Sequence, residues 1–318
     1  MIRLALTLTT GLAFFVLSCR ASPPPPPANT RPPLNVPRCV TNLRALTPPD
    51  ATRWVFARPR AMFDHPRLGR ALARAFDDAG ERALITRSRR WGYDLRTVDR
   101  ALVAWEADAT VTFGLSSFDT RRMVDLLWER LLPPRRRGEA GVGVTRVEGV
   151  LERDPVALAV HAACGLVAYA EVDTRKVDRV VLAPDTDASV TAGDPDAMLV
   201  WHQRGVPDAM RRATTEALFD RVADTEVTLD ASDAGLRVRV RLEGEIPADS
   251  AARLRRALDV LITSPLGASC AADTWLDASH VTIAAREDAI EVSGEAPWGA
   301  LDALSDVLRG RVGDGPMH

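Results

Sequence analysis

The sequence predicts an α+β protein of two similar halves, each built from repeated ββα units whose antiparallel sheets carry helices packed on one face. Three observations predict it. A pattern of strand, tight turn, strand and helix recurs along the chain; the strands alternate apolar and polar residues; and the segment after each strand pair has apolar residues at helical spacing. The repeats are "ALVAWEADATVTFGLSSFDTRRMVDLLWERLL" from 101, "VALAVHAACGLVAYAEVDTRKVDRVVLA" from 156, "VTLDASDAGLRVRVRLEGEIPADSAARLRRALDVLI" from 227 and "VTIAAREDAIEVSGEAPWGALDALSDVL" from 281. Hairpin strands pair antiparallel, and a helix returning after each hairpin packs on a sheet face.

In chain order, "RWVFARP" reads as a first strand, followed by a helix that opens at Pro66 and runs to about Arg90. The hairpin at 101–115 leads to a helix capped by Asp119, with Met123, Leu127 and Leu131 on one face. "PPRRRGEAG" reads as a loop, and "VGVTRVEGVLE" after it as an extra strand of the first half. In the next hairpin Ala157, Ala159 and Ala163 alternate with Val156, Leu158 and Val160, so both faces are apolar and each needs a cover. "APDTDASVTAGDPD" at 183–196 is a turn-rich boundary; "AMLVWHQ" and a helix opening at Pro207 start the second half. There Leu236, Val238, Val240 and Leu242 face one way and Arg237, Arg239 and Arg241 the other, the pattern of a sheet with one solvated face. The expected organisation is a signal segment at 1–18, a Pro-rich tether at 19–50, and halves at 51–185 and 186–318.

The chain has 318 residues, 46% of them apolar, which is enough to fill a core. A net charge of -2 supplies no field that would gather phosphate backbones, so nucleic acid is not an expected partner. Lys176 is the only lysine; the remaining basic charge is arginine.

Arg3 precedes a mostly apolar run from Leu4 to Leu17, too short to span a bilayer and suited to an export signal. It ends in Val16-Leu17-Ser18-Cys19, which resembles the lipobox of bacterial lipoproteins. The resemblance implies that Cys19 is diacylated and becomes the mature N-terminus. Arg20 stands where such lipoproteins, when retained in the inner membrane, carry aspartate, so the outer membrane is the expected address. A cut after Ala21 is the competing possibility and would release a soluble protein. Pro23 to Pro27, Pro32, Pro33 and Pro37 favour polyproline II, a semi-rigid stalk of up to about 50 Å.

Of the remaining cysteines, Cys164 lies in an apolar strand-like run and reads as a small buried hydrophobe, which leaves Cys39 with Cys270 as the expected disulfide. The row Arg237, Arg239 and Arg241 is a candidate surface for an anionic partner, or a solvated face balanced by Asp230, Glu243 or Glu291. "DTDASVTAGDPD" places Asp185, Asp187, Ser189 and Asp196 at ligand positions of an EF-hand-like loop, but Val190 stands where the turn requires glycine; an acidic linker is the better reading. The glycines of "GEAGVG" have the wrong spacing for a dinucleotide fingerprint, and the arginines of "RSRRWG" suit a helix end. The histidines His65, His161, His202, His280 and His318 lack zinc-site spacing, and no nucleophile elbow or C-x-x-C occurs. No catalytic residue, metal or cofactor is therefore expected.

The segment "WGYDLRTVDRALVAWEADATVTFGLSSFDTRRMVDLL" is also similar to one class of uncharacterised exported bacterial proteins, a resemblance that bears on fold and implies no activity. The function expected is that of a lipid-anchored envelope protein, a non-enzymatic binding or structural module. Its partner would be an envelope protein, glycan or lipid. The alternatives are a periplasmic carrier of a lipid or other apolar ligand, motivated by the two-sided apolar strands, and a hydrolase whose residues converge only in space.

Overall fold

Twelve strands dominate the computed structural model, which describes residues 42–75, 92–106, 109–141, 143–178, 196–206, 217–245, 247, 249–263, 281–286 and 288–299. The chain divides into two units. One comprises residues 15–61 and 82–196, the other 1–14, 62–81 and 197–318.

The first unit holds β1 (Arg53–Ala57), β2 (Arg100–Glu106), β3 (Ala109–Leu115), β4 (Leu132–Gly141), β5 (Val144–Leu151), β6 (Asp154–His161) and β7 (Leu166–Glu171). They are ordered β1-β2-β3-β7-β6-β5-β4, each antiparallel to its neighbour. The register aligns Phe56, Leu102, Phe113, Ala168, Ala159 and Arg146 in one row across the sheet. All of these but the arginine are fully buried, because two short 3-10 segments lie on this face. The first, Leu43–Leu46, buries Leu43 and Leu46 against β2 and β3. The second, Thr174–Asp178, lies across β6 and β7 and buries Val177. The alanines at 157, 159, 168 and 170 leave room for so close an approach, since their short side chains form a shallow floor.

The opposite face is roofed over β5, β6 and β7 by α3 (Thr120–Arg130). Asp119 caps it, its carboxylate accepting from the Arg122 amide at 3.1 Å. Met123, Val124, Leu127 and Leu131 pack on Val147, Val156, Leu158, Val160 and Val167, with Tyr93, Phe118, Trp128 and Tyr169 around them. Both faces of the hairpin at 156–171 are thus covered by the chain itself, which explains why both are apolar.

The second unit holds β8 (Leu199–Arg204), β9 (Val222–Ala231), β10 (Gly235–Gly244), β11 (Thr282–Ala285) and β12 (Ala289–Pro297), ordered β8-β9-β10-β12-β11. This matches the order β1-β2-β3-β7-β6 of the first unit, to whose end the hairpin β4-β5 is added. Leu242, Ile290, Val222, Val206 and Phe219 form its core, closed by Leu254 from α4 (Ser250–Thr263). Trp298 stacks on His65, ring centroids 5.1 Å apart, and donates its indole N–H to the Ser232 and Asp233 carbonyls at the β9-β10 turn.

These findings correct the expected fold class. The protein is a largely antiparallel β structure with few helices, not an α+β layer with helices on one sheet face. Among the described residues the α-helices are α1 (Pro59–Asp64), α2 (Leu68–Ala75), α3 and α4. The helix expected after the hairpin at 156–171 is the 3-10 segment, because Thr174–Asp178 offers one apolar residue, Val177, to bury. "PPRRRGEAG" is not a loop but most of edge strand β4. The helices expected from Pro207 and beyond Ala75 lie outside the described residues.

Candidate functional site

The arginine row sits where the alternation places it. Arg237, Arg239 and Arg241 project from one face of β10, opposite the core side chains Val240 and Leu242. Their cross-strand neighbours are Asp230, Thr228 and Glu226 on β9 and Glu295, Ser293 and Glu291 on β12. Arg239 bonds Glu291 at 3.3 Å and Arg241 bonds Glu243 at 2.7 Å. On β8 the same face carries Arg204, which pairs in register with Asp224, and His202, whose Nε2 lies 3.3 Å from the Asp224 carboxylate. Counting Asp224, Glu226, Asp230, Glu243, Glu291 and Glu295, the carboxylates outnumber the arginines. The face is a mixed-sign mosaic, so an anion approaching any arginine meets carboxylates in the adjoining registers.

Ion pairs of the first unit fasten its covering segments. Arg146 on β5 bonds Glu148 at 2.8 Å and also Asp178, while Lys176 reaches Glu106 on β2. These bonds hold the segment Thr174–Asp178 to the sheet. On edge strand β4, Arg137 bonds Asp125 at 2.8 Å and the Arg135 guanidinium lies over the Trp128 ring, tying the strand to α3. The other sheet face carries a row of Arg53, Trp105, Thr110 and Glu171. Burial raises the Glu171 pKa; a hydrogen bond with Tyr169 opposes the shift and the nearby Asp154 charge adds to it. Burial lowers the Arg53 pKa, its guanidinium lying over Trp105.

Cys164 is disulfide-bonded, which corrects the expectation of a small buried hydrophobe. It is half-buried in the turn between β6 and β7, its sulfur 3.7 Å from His161 Nε2. Its partner can only be Cys19, Cys39 or Cys270, and a bond to either of the last two displaces the expected Cys39–Cys270 pair. Cys19, Cys39 and Cys270 lie outside the described residues, as do most of the EF-hand-like stretch and the arginines at 87–90. Among the described residues no group of acidic, histidine or cysteine side chains is placed to hold a metal ion, and no helix is long and apolar enough to cross a membrane. The His202–Asp224 contact was not legible in sequence, since it depends on strand register.

No protein-family model matches the chain, and no curated protein matches it in sequence. Among solved structures it is similar to crystal form III of TP0453, with a TM-score of 0.50 and 12% identity over 85% of this chain and 98% of that one. Crystal forms I and IV of TP0453 match with a TM-score of 0.47 each, at 11% and 10% identity. Form I covers 84% of this chain and 97% of its own, and form IV 83% and 94%. The likeness to form III is one of fold.

Proposed function

We propose that this chain is a lipid-anchored protein of the bacterial cell envelope, held at the outer membrane through Cys19, whose body is a non-enzymatic binding or structural module. The contact surface is the solvated face of β9, β10 and β12. The observation that carries this reading is the mixed-sign mosaic around Arg237, Arg239 and Arg241. Such a face suits a protein partner of complementary charge pattern, since opposite charges in fixed register select orientation more than they add affinity. It does not suit an anionic polymer. The address rests on the lipobox-like run and the Pro-rich tether. Both apolar faces of the hairpin at 156–171 are filled, by Val177 and by the α3 core residues, and one face of β2 and β3 by Leu43 and Leu46, so packing accounts for that much of the motive for a carrier.

Photo-crosslinking in intact cells tests the surface. A crosslinker at position 239 should capture one discrete protein, and the charge reversal Arg241→Glu should abolish the capture; equal capture from Arg153, in the exposed β5-β6 turn, would count against a specific face. Cys19→Ala with membrane fractionation tests the anchor: the variant should leave the membrane fraction, and a variant still retained there would remove the lipid anchor from the reading.

A further inference from the structure

The first unit leaves two large apolar side chains in water. Among the described residues Leu132, 52% exposed, and Val172, 47% exposed, are the large hydrophobics that stay outside any core. Distant in sequence, they lie on one row of the sheet. Leu132 on β4 pairs in register with Val150 on β5, and Val150 with Pro155 on β6. The Pro155 carbonyl accepts from the Val172 amide at 2.9 Å, which puts Val172 beside it, just past the end of β7. The row reads Leu132, Val150, Pro155, Val172 across four neighbouring strands, about 14 Å from end to end. Pro155 is exposed and Val150 half-buried, so the row is an apolar stripe open to solvent.

The stripe belongs to one face. Side chains two residues apart along a strand point the same way, so Val150 and Pro155 share the face of Glu148 and Ala157, and Leu132 joins them as the cross-strand neighbour of Val150. Val172 opens the turn that carries the chain onto this face, where Thr174–Asp178 crosses β6 and β7. The backbone there holds Val172 at φ 70, a left-handed conformation that a β-branched residue rarely adopts. Neither the strain nor the exposure serves the packing of one copy, whereas both serve a surface that meets another molecule.

The two ends of the stripe match each other. Leu132 and Val172 sit equally far from its midpoint, so a two-fold axis between Val150 and Pro155 lays Leu132 of each copy on Val172 of the other, the self-complementary arrangement of an isologous contact. Near Leu132 the face carries Arg136, its side chain 85% exposed, beside Glu148; near Val172 the chain carries Arg175, also 85% exposed, beside Asp173. Each end thus offers an arginine with a carboxylate, and unlike charges meeting across the axis fix the register. A rim of both signs does not suit an anionic lipid surface, which selects clustered basic residues. We infer that the stripe is a contact between two copies of this chain, related by a two-fold axis through the Val150–Pro155 pair. Four apolar residues cover less than the about 800 Å² per partner of a stable interface, so the contact is weak and its population follows local concentration.

The test places a photo-crosslinking amino acid at position 132 of the full-length protein and mixes isotopically light and heavy copies before irradiation. The expected product joins the position-132 peptide of one copy to the peptide containing Val172 of another, in mixed light–heavy pairs whose yield rises with protein concentration. Moving the crosslinker to position 172 should return the reciprocal product. Val172→Asn should abolish the product from position 132 while leaving the melting temperature unchanged or higher, because asparagine adopts the left-handed conformation more readily than valine. Adducts confined to single copies, to lipid or to a different protein overturn the inference, as does the absence of any adduct. A Val172→Asn protein that crosslinks like the parent overturns it too. Loss of the product together with a fall in melting temperature would make Val172 a packing residue, and the inference fails on that outcome as well.

Discussion

Glu171 is a residue whose surroundings work against its charge. Burial raises its folded pKa above the ordinary carboxylate value, so at pH values between the unfolded and folded pKa the native state holds a proton that the unfolded chain has released. The stability this proton contributes is fully present below the unfolded pKa and is lost as pH rises through the folded one. Glu171→Gln should therefore gain in melting temperature relative to the parent between pH 4 and pH 7, and a constant difference across that range would contradict the assignment. Arg239 presents the opposite case. Its bond to Glu291 is exposed, and such pairs contribute about 0–1 kcal/mol. Arg239→Glu should change unfolding free energy in denaturant titration by about 1 kcal/mol or less while removing the partner contact. The alternation around Arg237, Arg239 and Arg241 was legible in sequence together with the counter-charges Glu243 and Glu291. The burial of Glu171 was not, because it depends on β7 lying between β3 and β6.

At the scale of elements, the hairpins announced themselves and the coverings did not. Alternation marks β2 with β3 and β9 with β10 because one strand face is uniformly apolar, and Asp119 marks the start of α3 by its capping bond. β4 escaped because its residues are almost all exposed and its prolines and arginines satisfy no hydrophobic pattern; it is a strand through pairing with β5 and through ties to Asp125 and Trp128. The 3-10 covers escaped for a different reason. Each is too short for a period, and what betrays the second is the floor beneath it, the alanines that Thr174–Asp178 lies upon. Enlarging that floor tests the packing. Ala159→Leu should cost about 1–3 kcal/mol in equilibrium unfolding, since the inserted methyl groups meet a segment clamped by Arg146–Asp178 and Lys176–Glu106. A neutral result would show the segment to be loosely seated.

For the whole molecule, the recurring hairpins in the sequence correspond to a recurring strand order, β1-β2-β3-β7-β6 and β8-β9-β10-β12-β11. What periodicity could not supply was the balance of layers: a segment with helical spacing need not become a helix, and one face of the first unit's strands is covered by two short 3-10 segments. The disulfide at Cys164 acts at this scale too, because a crosslink restricts the unfolded ensemble. Its reduction should lower stability by roughly 2–5 kcal/mol, visible as a lower melting temperature in reductant, and an unchanged melting curve would mean that the bond closes no sizeable loop. The added hairpin β4-β5 has a consequence for how a duplicated chain finds its fold. Two sets of strands with the same order invite exchange of equivalent partners. Because β5 precedes β11 along the polypeptide, the flank of β6 can be occupied before the later copy is synthesised. The hairpin thus serves as a key that makes the two copies distinguishable during assembly.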